Sequence, residues 1–186
     1  MMRTNKFIPK HGGYKNLKSY QMSEIVYDAT VKFCERFINK YSRTTDQMTQ
    51  AARSGKQNIA EGSAASGISK ETEIKLIGVA RASLEELLLD YQDYLRQHGM
   101  ALWPKDDARA LKIRGFSRES DKSYMTYKSY IESSPAETAA NTILCLINQT
   151  NYLLDRQLRK LEEDFVKQGG LRERMYKARL EERNKR

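Results

Sequence analysis

The chain contains few residues of the types that build metal and redox sites. Its 186 residues include only two cysteines and two histidines. Neither His11 nor His98 has a His or Cys neighbour at zinc-ligand spacing, and the Glu-x-x-His pairs of di-metal carboxylate proteins are missing from the sequence. Cys34 and Cys145 lie among apolar residues of separate expected helices, which favours buried free thiols in a reducing, cytoplasmic compartment. We therefore expect no metal and no cofactor.

Long apolar runs and phosphate-binding loops are also missing. No stretch approaches the roughly 20 apolar residues that cross a bilayer. The N-terminal segment has basic residues without an apolar export segment behind them, so we expect neither a membrane span nor export. The glycines occur singly or in pairs, outside the strand and Lys-Ser/Thr context of a nucleotide-binding loop. No set of residues supports a catalytic mechanism, and we expect a protein that is not an enzyme.

Helical periodicity is the main signal that the sequence does carry, and its length suits one core. Four helices are expected, from Ser23 or Glu24 to about Tyr41, from Thr45 to Gly62, from Ser69 to His98, and from a Ser134 cap and Pro135 to Gly169. Short connections between the first three make neighbours antiparallel. The sequence predicts an all-α, up-down-up-down four-helix bundle.

The rest of the chain is predicted to surround this bundle. A basic arm at 1–20 precedes the bundle at 21–168, and a basic segment at 169–186 follows it. The connection at 101–133 is too long for a simple loop, and it predicts an insertion with structure of its own. A short helix through Ala108 and Ile113, ended by Gly115, and a helical turn or two within 123–131 are expected there.

The second helix carries an unusually bare face. Met48, Ala52, Gly55, Ile59 and Gly62 recur at steps of three and four, so they share one side of a helix. Each glycine costs roughly 1 kcal/mol against alanine in a helix interior. A neighbouring helix that lies very close would offset this cost. Close packing of helices is therefore predicted, with the last of these glycines also ending the helix.

The same region resembles a known family. The residues that carry the resemblance are Arg53-Ser54, Asn58-Ile59-Ala60-Glu61-Gly62 and Ala80-Arg81-Ala82-Ser83-Leu84-Glu85-Glu86-Leu87. They are similar to four-helix-bundle proteins encoded in intervening sequences of bacterial 23S ribosomal RNA genes, over about 20–94 of this chain. The long insertion and the basic tail depart from the family, although Gly169-Gly170-Leu171-Arg172 looks like a suffix that some members carry.

This resemblance implies a fold, an assembly and a type of partner. It implies homo-oligomeric rings, commonly pentamers, in which Asn58, Glu61, Gly62 and Arg81 belong to the structural motif. Family members include the accessory variability determinant of diversity-generating retroelements, which binds nucleic acid beside a reverse transcriptase. For Glu61, two interpretations stay open: a subunit contact, or an acceptor of hydrogen bonds from Arg81, Asn58 or the backbone at the turn.

The positive charge is concentrated at the two ends. The net charge is +9, with five basic and no acidic residues in 1–20, and eight basic against three acidic residues in 167–186. Basic ends attract polyanions, although a solubilising tail has the same composition. The candidate nucleic-acid-binding residues are Arg53, Lys56, Lys167, Arg172, Arg174, Lys177 and Arg179. On the second helix, the alternative is that Arg53 and Lys56 are simply solvated.

Aromatic residues in the insertion allow a second interpretation. Tyr124, Tyr127 and Tyr130 lie beside Lys122 and Lys128, which suits stacking on single-stranded nucleic acid. They equally suit a segment clamped onto the bundle. We expect a non-enzymatic, oligomeric accessory protein that binds RNA or DNA through Arg and Lys contacts to phosphate. The alternative is a scaffold that binds a protein partner such as a reverse transcriptase or another polymerase.

Overall fold

The computed structural model describes residues 12–118 and 122–184, and no β-strand occurs within these two ranges. The helices are α1 (Lys18–Phe37), α2 (Arg43–Ala65), α3 (Lys70–Gln97), α4 (Ala108–Gly115), α5 (Tyr124–Glu132), α6 (Ala136–Gln168) and α7 (Leu171–Arg183), with 3-10 turns at Tyr14–Asn16 and Phe116–Arg118. Most of the predicted N-terminal arm, including His11, lies outside the described residues, as do Lys185 and Arg186.

The four longest helices share one core. Helix α1 contacts α2 and α6, and α3 contacts the same two helices, so each of the four has two long neighbours. The small helix α5 packs on α1 and α6, and α4 packs on α6. The apolar face of each helix points into this core: Val26, Ala29 and Phe33 of α1, Ile77, Leu84 and Tyr91 of α3, and Ile143, Ile147 and Leu154 of α6 are fully buried.

The expected start of α1 was wrong by five or six residues, and its expected end was wrong by four. The helix begins at Lys18 and ends at Phe37, rather than running from Ser23 or Glu24 to Tyr41. Ser23 is buried inside the helix, where its hydroxyl donates to the carbonyl oxygen of Tyr20 at 2.7 Å. A serine whose hydroxyl bonds to its own helix looks like an N-cap in the sequence but does not start the helix.

The expected ends of α2 were also wrong. Ser42 caps the helix by accepting from the N–H of Thr44 at 3.2 Å, so the helix begins before the predicted Thr45. At the other end, Gly62 does not stop the helix, which continues to Ala65. Gly62 is buried against α3 instead: a Cβ atom built on it would lie 3.4 Å from Cβ of Leu76. This glycine belongs to the contact with α3.

Gly55 marks the closest approach of α2 to α3. A Cβ atom on Gly55 would lie only 2.8 Å from both Cγ and Cδ2 of Leu84. Leu84 is fully buried, so a Cβ atom at this position would require its side chain to shift within the core. The prediction that glycines on α2 admit a close neighbouring helix is confirmed.

The starts of α3 and α6 were well predicted. Ser69 caps α3 by accepting from the N–H of Thr72 at 3.1 Å. Helix α6 begins at Ala136, but Ser134 is not its cap, because the Ser134 hydroxyl donates to the carbonyl of Ser129. Glu137, three residues after Ser134, accepts from the N–H of Ala101 at 3.2 Å rather than from a residue at the start of its own helix.

The insertion folds against α6 as two short helices, as predicted. The N–H of Trp103 donates to Oδ1 of Asn141 at 2.8 Å, and Nδ2 of Asn141 donates to the carbonyl of Ala101 at 2.9 Å. Ile113 of α4 and Ile131 of α5 are buried. The described residues of the insertion, 101–118 and 122–133, therefore contribute to the core.

Candidate nucleic-acid interface

The basic C-terminal segment forms a helix that packs on little else. Gly169 ends α6 with a φ of +68°, a conformation that favours glycine, and the chain turns there into the 13 residues of α7. The carboxylate of Glu173 accepts from the N–H of Gly170 at 3.2 Å and so satisfies one free donor at the start of α7. No residue of α7 is buried.

One face of α7 combines arginines with apolar side chains. Successive residues of an α-helix turn by about 100°, so Arg172, Arg179 and Arg183 fall within a narrow sector. Between and beside them lie the exposed side chains of Met175, Tyr176 and Leu180. These six residues line a shallow groove of about 400 Å³. We call them the arginine face.

The arginine face contains only two of the predicted nucleic-acid-binding residues. Arg172 and Arg179 belong to it, whereas Arg174 and Lys177 point to the opposite side of α7. Lys167 is exposed near the end of α6 and does not line the groove. Arg183 was missed by the sequence analysis, although its spacing of four from Arg179 was visible there.

The candidate residues on α2 lie apart from this face. Arg53 is exposed, but it does not line the groove on α7. The ammonium of Lys56 lies 4.4 Å from the centre of the Tyr27 ring, in cation–π contact with α1. Lys56 therefore joins two helices.

The motif residues have different partners from those expected. Arg81 binds Oε2 of Glu85 at 2.5 Å and Oδ1 of Asp155 at 3.1 Å, so it links α3 to α6. Asn58 donates to the carbonyl of Ser54 at 2.8 Å. Glu61 is exposed and accepts from neither residue within the described chain. Of the two interpretations left open for Glu61, hydrogen bonding by Arg81 or Asn58 was wrong, because Glu61 lies on the solvent side of α2. A subunit contact stays a prediction.

The tyrosines of the insertion do not form a free stacking surface. Tyr127 is fully buried, and its ring meets that of Phe116 with the ring centres 5.9 Å apart. Tyr130 packs on the same ring. The hydroxyl of Tyr124 donates to the carboxylate of Glu132 at 2.7 Å. The alternative of a segment clamped onto the helices therefore fits, and the stacking hypothesis is wrong for Tyr127.

Both cysteines are free thiols in apolar surroundings. Burial raises the pKa of Cys34 to about 11, and it raises that of Cys145 to about 11 as well. Cys34 is buried as expected, while Cys145 is only half-buried.

The described part of the chain brings no three His, Cys, Asp or Glu side chains together where they could hold a metal ion. Nor does any described helix combine the length and apolar character needed to cross a membrane.

Comparison of the chain with protein-family models, with curated proteins and with solved structures finds no match. The family resemblance thus rests on the motif residues of α2 and α3 alone. The arrangement of charge on α7 is the feature that bears most directly on function.

Proposed function

We propose that this protein is a non-enzymatic, cytoplasmic accessory protein that binds RNA or DNA. Its four long helices would form an up-down-up-down four-helix bundle, because each of them contacts two of the others in a closed cycle. The bundle would carry α7 as its nucleic-acid-binding element. The family resemblance supports assembly into a homo-oligomer, and free thiols fit a reducing compartment.

The arginine face of α7 is the observation on which this proposal rests. Arginine binds phosphate through two parallel N–H donors, and it stays charged at every physiological pH. Arg172 and Arg183 are eleven residues apart, which at about 1.5 Å per residue places them roughly 16 Å apart along the helix. That length matches about five nucleotide steps of roughly 3.4 Å each on one strand of a duplex.

The aromatic side chain on this face suits the same ligand. The ring of Tyr176 is 65% exposed and lies among the arginines, where it could stack on a base. Stacking on an aromatic ring contributes about 1–3 kcal/mol per base and tolerates any sequence. Oligomerisation would place several copies of α7 on one assembly, which raises the avidity for a long polyanion.

A pair of charge-matched variants of the full chain tests this proposal. The first combines Arg172→Gln, Arg179→Gln and Arg183→Gln, and the control combines Lys167→Gln, Arg174→Gln and Lys177→Gln. Both lose three positive charges, but only the first removes the arginine face. Affinity for labelled single-stranded RNA, single-stranded DNA and duplex DNA would be measured by fluorescence anisotropy at two salt concentrations, with circular dichroism to confirm folding.

The first variant should bind much more weakly than the control. For single strands, each phosphate contact contributes about 0.7 to the slope of log affinity against log salt, so three lost contacts lower it by about two. Equal weakening in both variants would mean that only net charge matters, and the arginine face would then have no special role. If the wild-type protein binds no nucleic acid at low salt, the proposal is wrong.

A protein-binding scaffold is the second candidate, and the exposed apolar residues of α7 favour it. Met175 is 45% exposed and Leu180 is 37% exposed, which suits docking onto a protein partner such as a reverse transcriptase. A Met175→Ser, Leu180→Ser variant should keep its affinity for nucleic acid if the first proposal holds. A wild-type protein that binds no nucleic acid but retains a purified reverse transcriptase, with retention lost in this variant, would establish the scaffold.

The size of the assembly is a separate measurement. Light scattering coupled to size-exclusion chromatography gives the mass of the oligomer, and the family resemblance leads us to expect a pentamer. A monomer at the concentrations used for binding would remove the contribution of avidity. The arginine face would then act alone.

A further inference from the structure

Helix α7 receives little support from the rest of the protein. It has 13 residues, and none of them is buried. The extensive contacts between described helices involve α1 to α6, and α7 takes part in none of them. A helix shorter than about 12–15 residues is only marginally stable in water unless it packs on other elements. Tertiary packing therefore contributes little to the stability of α7, and its helix is marginal.

The connection to α6 does not stabilise α7 either. Gly169 has a φ of +68° and ends α6, so the hydrogen bonds of α6 do not continue into α7. Helix α7 must therefore form its own first turn, which is the unfavourable step in helix formation. Its N-cap is Gly170, which has no side chain to accept from the free N–H groups of that turn.

The charges of the arginine face disfavour the free helix. Arg172 is the second residue of α7, where its positive charge lies at the positive end of the helix dipole. Arg179 and Arg183 are four residues apart, and like charges at that spacing destabilise a helix. A phosphate group beside these arginines offsets both effects, and anions also bind favourably at a helix N-terminus. Phosphate groups should therefore bind helical α7 better than unfolded α7.

We propose that the folding of α7 is coupled to the binding of nucleic acid. In the free protein, α7 exchanges between a helix and unfolded chain, and phosphate groups on the arginine face shift this equilibrium towards the helix. Only the helix places the three arginines within one sector, so the unfolded segment binds phosphate less well. This inference rests on the proposed function and adds a device that sets its affinity, because the observed dissociation constant rises as the folded fraction of α7 falls.

Hydrogen exchange of the full chain, measured by mass spectrometry, follows this equilibrium. In the free protein, the backbone amides of α7 should be protected about tenfold or less relative to an unfolded chain, whereas those of α3 should be strongly protected. Saturation with the tightest-binding of the three labelled nucleic acids should slow the exchange of the α7 amides. The Arg172→Gln, Arg179→Gln, Arg183→Gln variant should also slow it in the free protein, since glutamine and arginine have similar helix propensities.

A pair of uncharged substitutions separates helix stability from phosphate contacts. Ala178→Gly disfavours the helical form of α7 about fivefold, which corresponds to roughly 1 kcal/mol. Ala178 does not line the groove of the arginine face, so this substitution removes no side chain from that face. The control is Ala82→Gly, which makes the same change at an exposed position inside α3, a helix with many buried residues. Fluorescence anisotropy at one salt concentration gives the affinity of each variant.

Ala178→Gly should weaken the binding of nucleic acid about three- to fivefold, because the observed dissociation constant is inversely proportional to the folded fraction of α7. Its urea midpoint should stay that of the wild type, since α7 contributes little to the core. Ala82→Gly should show the opposite behaviour, with wild-type affinity and a lower urea midpoint.

The coupling is refuted, while nucleic-acid binding itself stands, by any of three results. The α7 amides of the free protein are as protected as those of α3, or nucleic acid binds without slowing their exchange. The third result is an affinity that Ala178→Gly leaves unchanged or that Ala82→Gly lowers equally. A wild-type protein that binds no nucleic acid at low salt contradicts the proposed function instead, and the coupling is then wrong as well.

Discussion

Replacing glycines by alanine one at a time measures how tightly α2 and α3 pack. Every such replacement inside a helix gains roughly 1 kcal/mol of helix propensity. At Gly55 the new Cβ atom would lie 2.8 Å from Cγ and Cδ2 of Leu84, well inside the roughly 3.5–4.0 Å of a favourable carbon contact. Overpacking of a core costs about 1–3 kcal/mol. The two terms predict that Gly55→Ala destabilises the protein by about 1 kcal/mol.

Two other glycines provide matched controls. Gly78 is inside α3 and has no atom within 4 Å of its added Cβ, so Gly78→Ala should stabilise the protein by about the full propensity difference of 1 kcal/mol. At Gly62 the nearest atoms lie at 3.4 Å, an ordinary contact, so Gly62→Ala should be stabilising by a smaller amount. The difference between the variants at Gly55 and Gly78 is then about 2 kcal/mol, and it isolates the packing contribution.

Urea unfolding followed by circular dichroism measures these differences. A change of 1 kcal/mol moves the midpoint by about 0.5 M when the slope is about 2 kcal/mol per molar urea. The protein concentration must be the same for all variants, because oligomerisation shifts apparent stability. If Gly55→Ala stabilises the protein as much as Gly78→Ala, the close approach of the helices at Leu84 is refuted. As a further check, Leu84→Ala should be less costly in the Gly55→Ala background than in the wild type.

Three further predictions concern a cap, the thiols and an ion-pair network. Ser69→Ala removes the N-cap of α3 and should cost about 1 kcal/mol in urea unfolding. Ser134→Ala, whose hydroxyl caps no helix N-terminus, should cost only a few tenths, and equal costs would contradict the assigned cap. Because burial raises the pKa of Cys34 and of Cys145 to about 11, from an ordinary value near 8.5, both thiols should react slowly with a disulfide reagent at pH 8. The folded state also holds these thiol protons more tightly than the unfolded state does. The contribution of the protonated thiols to the free energy of unfolding is complete below about pH 8.5 and is lost as the pH rises through 11. A urea midpoint that does not fall between pH 8 and pH 10.5 would contradict this prediction. Arg81→Met breaks a half-exposed link between α3 and α6, and it should cost about 1 kcal/mol at low salt and less at high salt, which salt-dependent unfolding would detect.

Local patterns in the sequence determined most of the helices. The period of the apolar residues predicted the four long helices and the buried face of each, because a side chain's position around a helix depends only on its number. Ser69 and His98 marked the two ends of α3 for the same reason, since capping involves residues within one turn. The short helices of the insertion followed from Gly115 and from the spacing of the tyrosines. The concentration of positive charge at the C-terminus was also visible without coordinates.

Contacts between distant residues were decided only by the tertiary structure. Gly62 was predicted both to end α2 and to admit a neighbouring helix, and only the second holds, because α3 packs against it and α2 continues to Ala65. Arg81 bonds to Asp155, which is 74 residues away, and no local pattern specifies such a partner. A cavity of about 390 Å³ is lined by Lys18, Arg114 and Gln149, which belong to three helices far apart in the sequence. The sequence alone determines where helices form, since their hydrogen bonds are local, whereas the partners of polar side chains and the shapes of cavities depend on how those helices pack.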